Sequence, residues 1–256
     1  MKAVFIGSGN VATHLSLALQ KKGVATTQVF SRTLANASLL AQKLNASYTN
    51  DPAQLDRNAD IYFYALKDSA LAHFLKEVHL PDAMHVHTAG SVSLSIFKEL
   101  TAHYGVFYPL QTFSKNKEID FSQIPICIEA SNARMQEKLL EIANLLSNKT
   151  MIISSDQRKV LHIAAVFACN FSNYMYDIAS ELLNDVGVGF DILKPLIEET
   201  AEKITKLSPY DAQTGPALRY DKTTIQKHVN MLKCYPEIRS IYKDLSKAIY
   251  KRHSKS

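Results

Sequence analysis

Lys2-Ala3-Val4-Phe5-Ile6-Gly7-Ser8-Gly9-Asn10-Val11-Ala12 is the stretch on which the fold turns. A short apolar run stops at a glycine. The pattern G-x-G-x-x-A then leads into residues whose apolar positions, Val11, Leu15, Ala18 and Leu19, share one helical face. The reading is strand, tight turn, then a helix over residues 11–22 that ends at Gly23. A glycine pair between a strand and a helix is the setting that a dinucleotide-binding turn requires. Gly7 permits the turn, Gly9 lets a pyrophosphate approach the backbone, and Ala12 lets the helix pack closely on the strand. The backbone of Gly7, Ser8, Gly9, Asn10 and Val11 would then face the anion, with the helix dipole behind it. A turn that needs glycine for geometry alone is the plainer alternative; position, spacing and flanking elements together favour the nucleotide.

The end of the next strand selects the nucleotide. A site for NAD places an acid there to bond the ribose 2′-hydroxyl. This chain reads Phe30-Ser31-Arg32-Thr33, with no acid. A 2′-phosphate would be repelled by a carboxylate, but Arg32 pairs with it and Ser31 and Thr33 donate hydrogen bonds to it. The expected cofactor is NADP(H). Adenosylmethionine is disfavoured for the same reason, since its ribose also calls for an acid.

Working outward, strand-like and helix-like runs alternate through residue 153. Strands are expected over residues 27–30, 61–66, 84–87, 105–108, 126–129 and 151–153. Helices are expected over 35–44 and after Asp68 or Ser69 as cap. This alternation implies a mostly parallel sheet with right-handed crossovers. Leu66 and Lys67 after one strand, and Thr88 and Gly90 after another, are expected at the carboxyl edge, where such sheets bind ligands. His85 and His87 alternate within a strand and read as core residues.

After residue 155 no strand is expected. Asp156 is expected to cap one long helix reaching about residue 186. Its apolar positions, including Val160, Ile163, Val166, Phe167, Phe171 and Tyr174, suit burial on more than one side. Helices over 191–207, 223–233 and 236–252 follow, with a loop holding Pro209 and Gly215-Pro216. The expected architecture is an α/β Rossmann-type domain over residues 1–154, followed by an all-helical domain over 155–256.

Composition narrows the function. With 29 Lys+Arg against 24 Asp+Glu, the surplus of +5 is spread over both halves, which argues against nucleic acid as partner. Lys243, Lys247, Lys251, Arg252 and Lys255 read as a solvated helix end. No run reaches the roughly 18 apolar residues of a membrane span, and no secretory signal is expected. Cys127, Cys169 and Cys234 are too scattered for a disulfide framework or a metal site, and fit buried free thiols in a cytoplasmic protein. No metal is expected.

The chain resembles a known superfamily. Gly7-Ser8-Gly9-Asn10-Val11-Ala12, Ser31-Arg32-Thr33 and residues 61–68 are similar to the amino-terminal domain of deazaflavin-dependent NADP reductases. Pyrroline-5-carboxylate reductase, the β-hydroxyacid dehydrogenases and 6-phosphogluconate dehydrogenase share that superfamily. A resemblance over nearly the whole chain is to a bacterial family of proposed NADP oxidoreductases with a helical carboxy-terminal domain of unassigned function. Its marks are His87-Thr88-Ala89-Gly90-Ser91, Tyr108-Pro109-Leu110-Gln111-Thr112-Phe113, the stretch from His162-Ile163-Ala164-Ala165 to Asn170, and Gln213-Thr214-Gly215-Pro216-Ala217-Leu218-Arg219-Tyr220-Asp221. The resemblance implies an NADP-type Rossmann domain, a 6-phosphogluconate-dehydrogenase-like helical domain and a homodimer formed through it.

The resemblance also implies a catalytic position. The β-hydroxyacid dehydrogenases carry a lysine four residues before an asparagine on the long helix. Here Asn170 is the asparagine and Val166 stands at the lysine's place. His162 is the candidate replacement, because an ordinary pKa near 6.5 suits proton transfer at neutral pH. At 3.6 residues per turn His162 and Asn170 are about 80° apart, and Asn173 follows one turn on. The family carries histidine where Tyr108 stands, so no proton donor is expected at Tyr108. Thr214, Gly215 and Arg219 are candidates for holding an anionic substrate group, for a dimer seam, or for a simple connecting turn. The leading expectation is an NADP(H)-dependent oxidoreductase acting on a small carbonyl, imine or alcohol in an interdomain cleft. The alternative is a non-catalytic NADP(H)-binding or sensing module acting through its helical domain.

Overall fold

The computed structural model describes residues 1–78, 82–114 and 117–254; Lys255 of the basic terminal run lies outside them. The chain divides into two compact units, Met1–Asn170 and Phe171–Ser256. The first is built in the order β1 (Lys2–Ile6), α1 (Asn10–Lys21), β2 (Ala25–Phe30), α2 (Leu34–Leu44), β3 (Ser47–Thr49), β4 (Ile61–Tyr64), α3 (Asp68–Glu77), β5 (Met84–His87), β6 (Tyr104–Pro109), β7 (Ile126–Ala130), α4 (Ala133–Leu146), β8 (Thr150–Ile152) and α5 (Ser155–Ala165). A π turn (Val166–Phe171) follows α5.

The eight strands form one sheet in the order β3-β2-β1-β4-β5-β6-β7-β8. All neighbours run parallel except β6 and β7, which are antiparallel; β8 lies parallel to β7. The order 3-2-1-4-5-6 of the first six is the doubly wound arrangement. The order in which strands are added reverses between β1 and β4, which are parallel, and the glycine turn sits at that switch point. Both faces are buried, as the unbroken apolar runs require. Phe5 and Phe63 stack 5.0 Å apart within one core layer, while Val4, Ile6, Tyr62 and Tyr64 point into the other with Phe97.

Several local expectations are corrected. The edge strand β3 was not expected; Ser47-Tyr48-Thr49 has no apolar run to announce it. Asp68 lies inside α3, whose cap position is Lys67. The long helix is capped by Ser154, not Asp156: Ser154 Oγ accepts from the Gln157 amide while the Gln157 side chain accepts from the Ser154 amide. It is also not one α-helix, because the π turn interrupts it. Its apolar positions are largely exposed: Val160 is 67%, Phe167 65% and Ile163 58% accessible. Of the cysteines only Cys127 is buried; Cys169 is half-buried and Cys234 exposed.

The second unit contains α6 (Ser172–Asn184), α7 (Lys194–Lys206), α8 (Lys222–Met231) and α9 (Pro236–His253). Its buried apolar residues among those described are Ala217, Val229, Leu232 and Ile238. Two ring stacks pin the connection before α8 to α9: Tyr220 on Tyr250 at 4.0 Å and Tyr210 on His253 at 4.1 Å.

Candidate functional site

The glycine turn has the geometry its residues predict. Gly7 has φ +118, and a β-carbon there would lie 2.3 Å from the Ala65 carbonyl oxygen, so the loops after β1 and β4 touch where only glycine fits. A β-carbon on Gly9 would meet nothing within 4 Å. The space in front of Gly9 is therefore open, and α1 begins with no side-chain cap. Amides and open space together suit a phosphate. Ala12 is fully buried, as close helix packing demands. Ser8 is buried, while Asn10 reaches away: its Nδ2 donates to the Phe113 carbonyl at 2.6 Å, tying the turn to the loop after β6.

Ser31, Arg32 and Thr33 follow β2 at the same edge. The Ser31 amide donates to the Thr49 carbonyl, and Arg32 is exposed with no ion pair among the described residues. Leu66 and Lys67 continue from β4. The Thr88 amide donates to the Tyr64 carbonyl, which draws the loop after β5 toward β4. Gly90 is buried in that loop.

Three elements converge beside it. Tyr108 Oη lies 3.1 Å from His162 Nδ1. A β-carbon on Gly90 would lie 2.7 Å from that same nitrogen and 3.1 Å from Tyr108 Cζ. No proton donor is expected at Tyr108 from the sequence, yet the residue stands in the site, and its place near the carboxyl end of β6 is the signal that points to it. Burial raises the Tyr108 pKa above the ordinary phenol value, Cys127 and Asp68 add to this, and Arg158 opposes it. The phenol is protonated at neutral pH.

Tyr108 and His162 open onto a cleft of about 560 Å³ that Asn170 also lines. The π turn brings them to one face. Four α steps of about 100° and four π steps of roughly 80° return Asn170 almost above His162, in place of the 80° offset expected from an unbroken α-helix. Val166 lines the same cleft.

One turn before His162, Arg158 is fully buried. It bonds Glu129 on β7, the Val92 carbonyl and Ser155 Oγ. Ser155 Oγ in turn accepts from the Leu94 amide at 2.9 Å, and its own amide donates to Glu129. The network joins β7, the loop after β5 and the start of α5, and so fixes the height at which His162 meets Gly90. Sequence reading missed Arg158, although its i, i+4 relation to His162 was visible. His87 is fully buried; burial first and Arg158 second lower its pKa to about 3, so the imidazole is neutral.

Asn173, Thr214, Gly215 and Arg219 belong to the second unit; Asn173 and Arg219 are exposed. Among the described residues no group of three or more His, Cys, Asp or Glu is placed to hold a metal.

A doubly wound sheet with a glycine turn at its switch point and a basic residue after β2 defines a dinucleotide-binding protein of the Rossmann class. Residues 2–89 match the family described as NADP oxidoreductase, coenzyme F420-dependent, and residues 124–249 match a domain of unknown function, DUF2520. The crystal structure of "putative NADP oxidoreductase BF3122" from Bacteroides fragilis is 47% identical, with a TM-score of 0.94 over 98% of each chain. The chain belongs to this family of NADP oxidoreductases with a DUF2520 carboxy-terminal domain. More distant solved structures share the fold. An imine reductase from Myxococcus stipitatus in complex with NADP+ is 19% identical, with a TM-score of 0.69 over 100% of this chain and 93% of that one. A 1-pyrroline-5-carboxylate reductase from Streptococcus pyogenes is 14% identical, with a TM-score of 0.65 over 98% of each. No protein of curated function matches the sequence.

Proposed function

We propose that this protein moves a hydride between NADP(H) and a small carbonyl, imine or alcohol held in the cleft beside Tyr108 and His162. The observation that carries the reading is the packing of Gly90, Tyr108 and His162 against one another at the carboxyl edge of the sheet. The backbone of Gly7, Ser8, Gly9, Asn10 and Val11 would hold the pyrophosphate. Ser31, Arg32 and Thr33 would hold the 2′-phosphate, and Leu66, Lys67, Thr88 and Gly90 would flank ribose and nicotinamide. When bound, the cofactor supplies or accepts the hydride.

The chain's own part is positioning and proton transfer. In the imidazolium form, His162 Nδ1–H donates to Tyr108 Oη. The proton given to the substrate's oxygen or nitrogen then leaves from Nε2, the nitrogen that Tyr108 does not hold. The neutral imidazole that remains keeps its bond to Tyr108, so no ring flip is needed. Asn170 on the same face offers an amide to orient the polar atom being protonated.

The assembly that fits is a homodimer. With four buried apolar residues among those described, the helical unit has little core of its own, and Val160, Ile163 and Phe167 on α5 and the π turn are exposed apolar positions too. No helix among the described residues is long and apolar enough to cross a membrane. The free thiols suit a reducing cytoplasm.

Calorimetric titration with NADPH and NADH side by side tests the cofactor reading. NADPH binding more than about tenfold tighter supports it, a difference of ~1.4 kcal/mol. NADPH binding without turnover on any carbonyl or imine would favour the sensing module instead, for which the valine at position 166 is the motive.

A further inference from the structure

We propose that the substrate is a neutral, mainly apolar carbonyl or imine compound and that the cleft rejects a carboxylate near the reacting carbon. This rests on the cleft's being the substrate site.

On the side of α5 and the π turn, Leu161, Ala164, Ala165, Val166 and Ala168 line the cleft around His162, Cys169 and Asn170. The opposite side, after β6, offers Leu110, Gln111 and Thr112. Among the described residues that line the cleft there is no Lys, Arg, Asp or Glu. Its titratable groups are Tyr108, His162 and Cys169, and the first two are bonded to each other. An ionised carboxylate leaving water for such a wall would lose its hydration, and the one lining group that carries a positive charge in the proton-donating form, His162, is held by Tyr108 and gives that charge up with its proton. The cation one turn away, Arg158, offers no remedy. It is fully buried, its two terminal nitrogens bond Glu129, the Val92 carbonyl and Ser155, and it is not among the residues that line the cleft. Neutral polar groups are better served: Gln111, Thr112 and Asn170 donate and accept without charge. The small alanine side chains leave room for a ring or a branched body.

The experiment uses the full chain with alanine methyls labelled, with and without NADP+. Matched pairs are added at millimolar concentration: cyclohexanone against 3-oxocyclohexanecarboxylate, and 2-methyl-1-pyrroline against 1-pyrroline-2-carboxylate. Shifts of the Ala164, Ala165 and Ala168 methyls report binding in the cleft, and NADPH consumption reports turnover. The neutral member of each pair is expected to bind at least about tenfold tighter. Val166→Lys, which puts a cation into the wall, is expected to reverse that order. Preference for the carboxylate, equal binding, or no methyl shift with any compound overturns the inference. Failure of NADP+ to bind, with the neutral preference intact, would overturn the oxidoreductase reading and leave the cleft's selectivity standing.

Discussion

Gly90 and His162 are packed so that position 90 has no room for a side chain: a β-carbon would lie 2.7 Å from His162 Nδ1 and 2.8 Å from its Cγ. The contact is between an imidazole fixed by Tyr108 and a loop fixed by Arg158, so neither side yields freely. Gly90→Ala is expected to push His162 off Tyr108, lowering turnover at least about tenfold while costing roughly 1–3 kcal/mol of stability, as overpacking does. NADPH affinity should change little by comparison. Steady-state kinetics beside a calorimetric titration decides it, and an alanine variant with unchanged turnover would remove His162 from the mechanism.

Arg32 governs the choice of nucleotide. It is exposed, makes no ion pair among the described residues, and stands where an acid would select NAD. Arg32→Asp is expected to weaken NADPH binding by about two orders of magnitude, the scale of a lost charge-assisted bond plus a new repulsion, and to leave NADH nearly unchanged. Equal losses for the two would refute the assignment of the 2′-phosphate to this residue.

The buried pair of Arg158 and Glu129 is expected to be costly to break and cheap to replace. Arg158→Met leaves a carboxylate, 16% exposed, without its cation, and should destabilise the protein by roughly 3–5 kcal/mol. Adding Glu129→Leu should recover much of that loss. Denaturant melts of the two single variants and the double variant measure the coupling, which would be near zero if the pair were ornamental.

His87 makes the fold acid-labile. Its imidazole has a folded pKa of about 3 against an ordinary 6.5, because burial first and Arg158 second disfavour the charged form. The unfolded chain therefore takes up a proton that the folded chain refuses. The stability is intact above pH 6.5 and falls as pH drops from about 6.5 toward 3, by an amount on the order of several kcal/mol. His87→Phe is expected to flatten the decline. Melting temperatures of wild type and variant between pH 7 and pH 4 should diverge; parallel curves would place the lability elsewhere.

What the sequence revealed and what it concealed follow physical lines. The strands through Phe5 and Phe63 are buried on both faces, so their apolar runs are continuous and readable. Gly7 is readable because its backbone conformation admits one residue type. β3 has an exposed Tyr48 and gives no such signal. The Ser154 cap was legible, since Gln157 stands three residues on, but Asp156 drew attention from it. The π turn leaves no periodic trace in a helix whose apolar residues already cover several sides. The bond between Tyr108 and His162 spans 54 residues, and only the folded sheet brings them together. The same is true of Arg158, whose burial cannot be guessed from its charge.

The reversal at β7 governs where the chain is when α5 begins. β7 and β8 carry the backbone down from the carboxyl edge, since Ile126 lies opposite Pro109 and Ala130 opposite Gly105. Helix α5 therefore starts low, with Arg158 beside Glu129, and climbs until His162 arrives level with Tyr108. Had both strands run with the other six, the helix would have started at the carboxyl edge and led away from the sheet. The two backward strands act as a return staircase, and the histidine waits at its top.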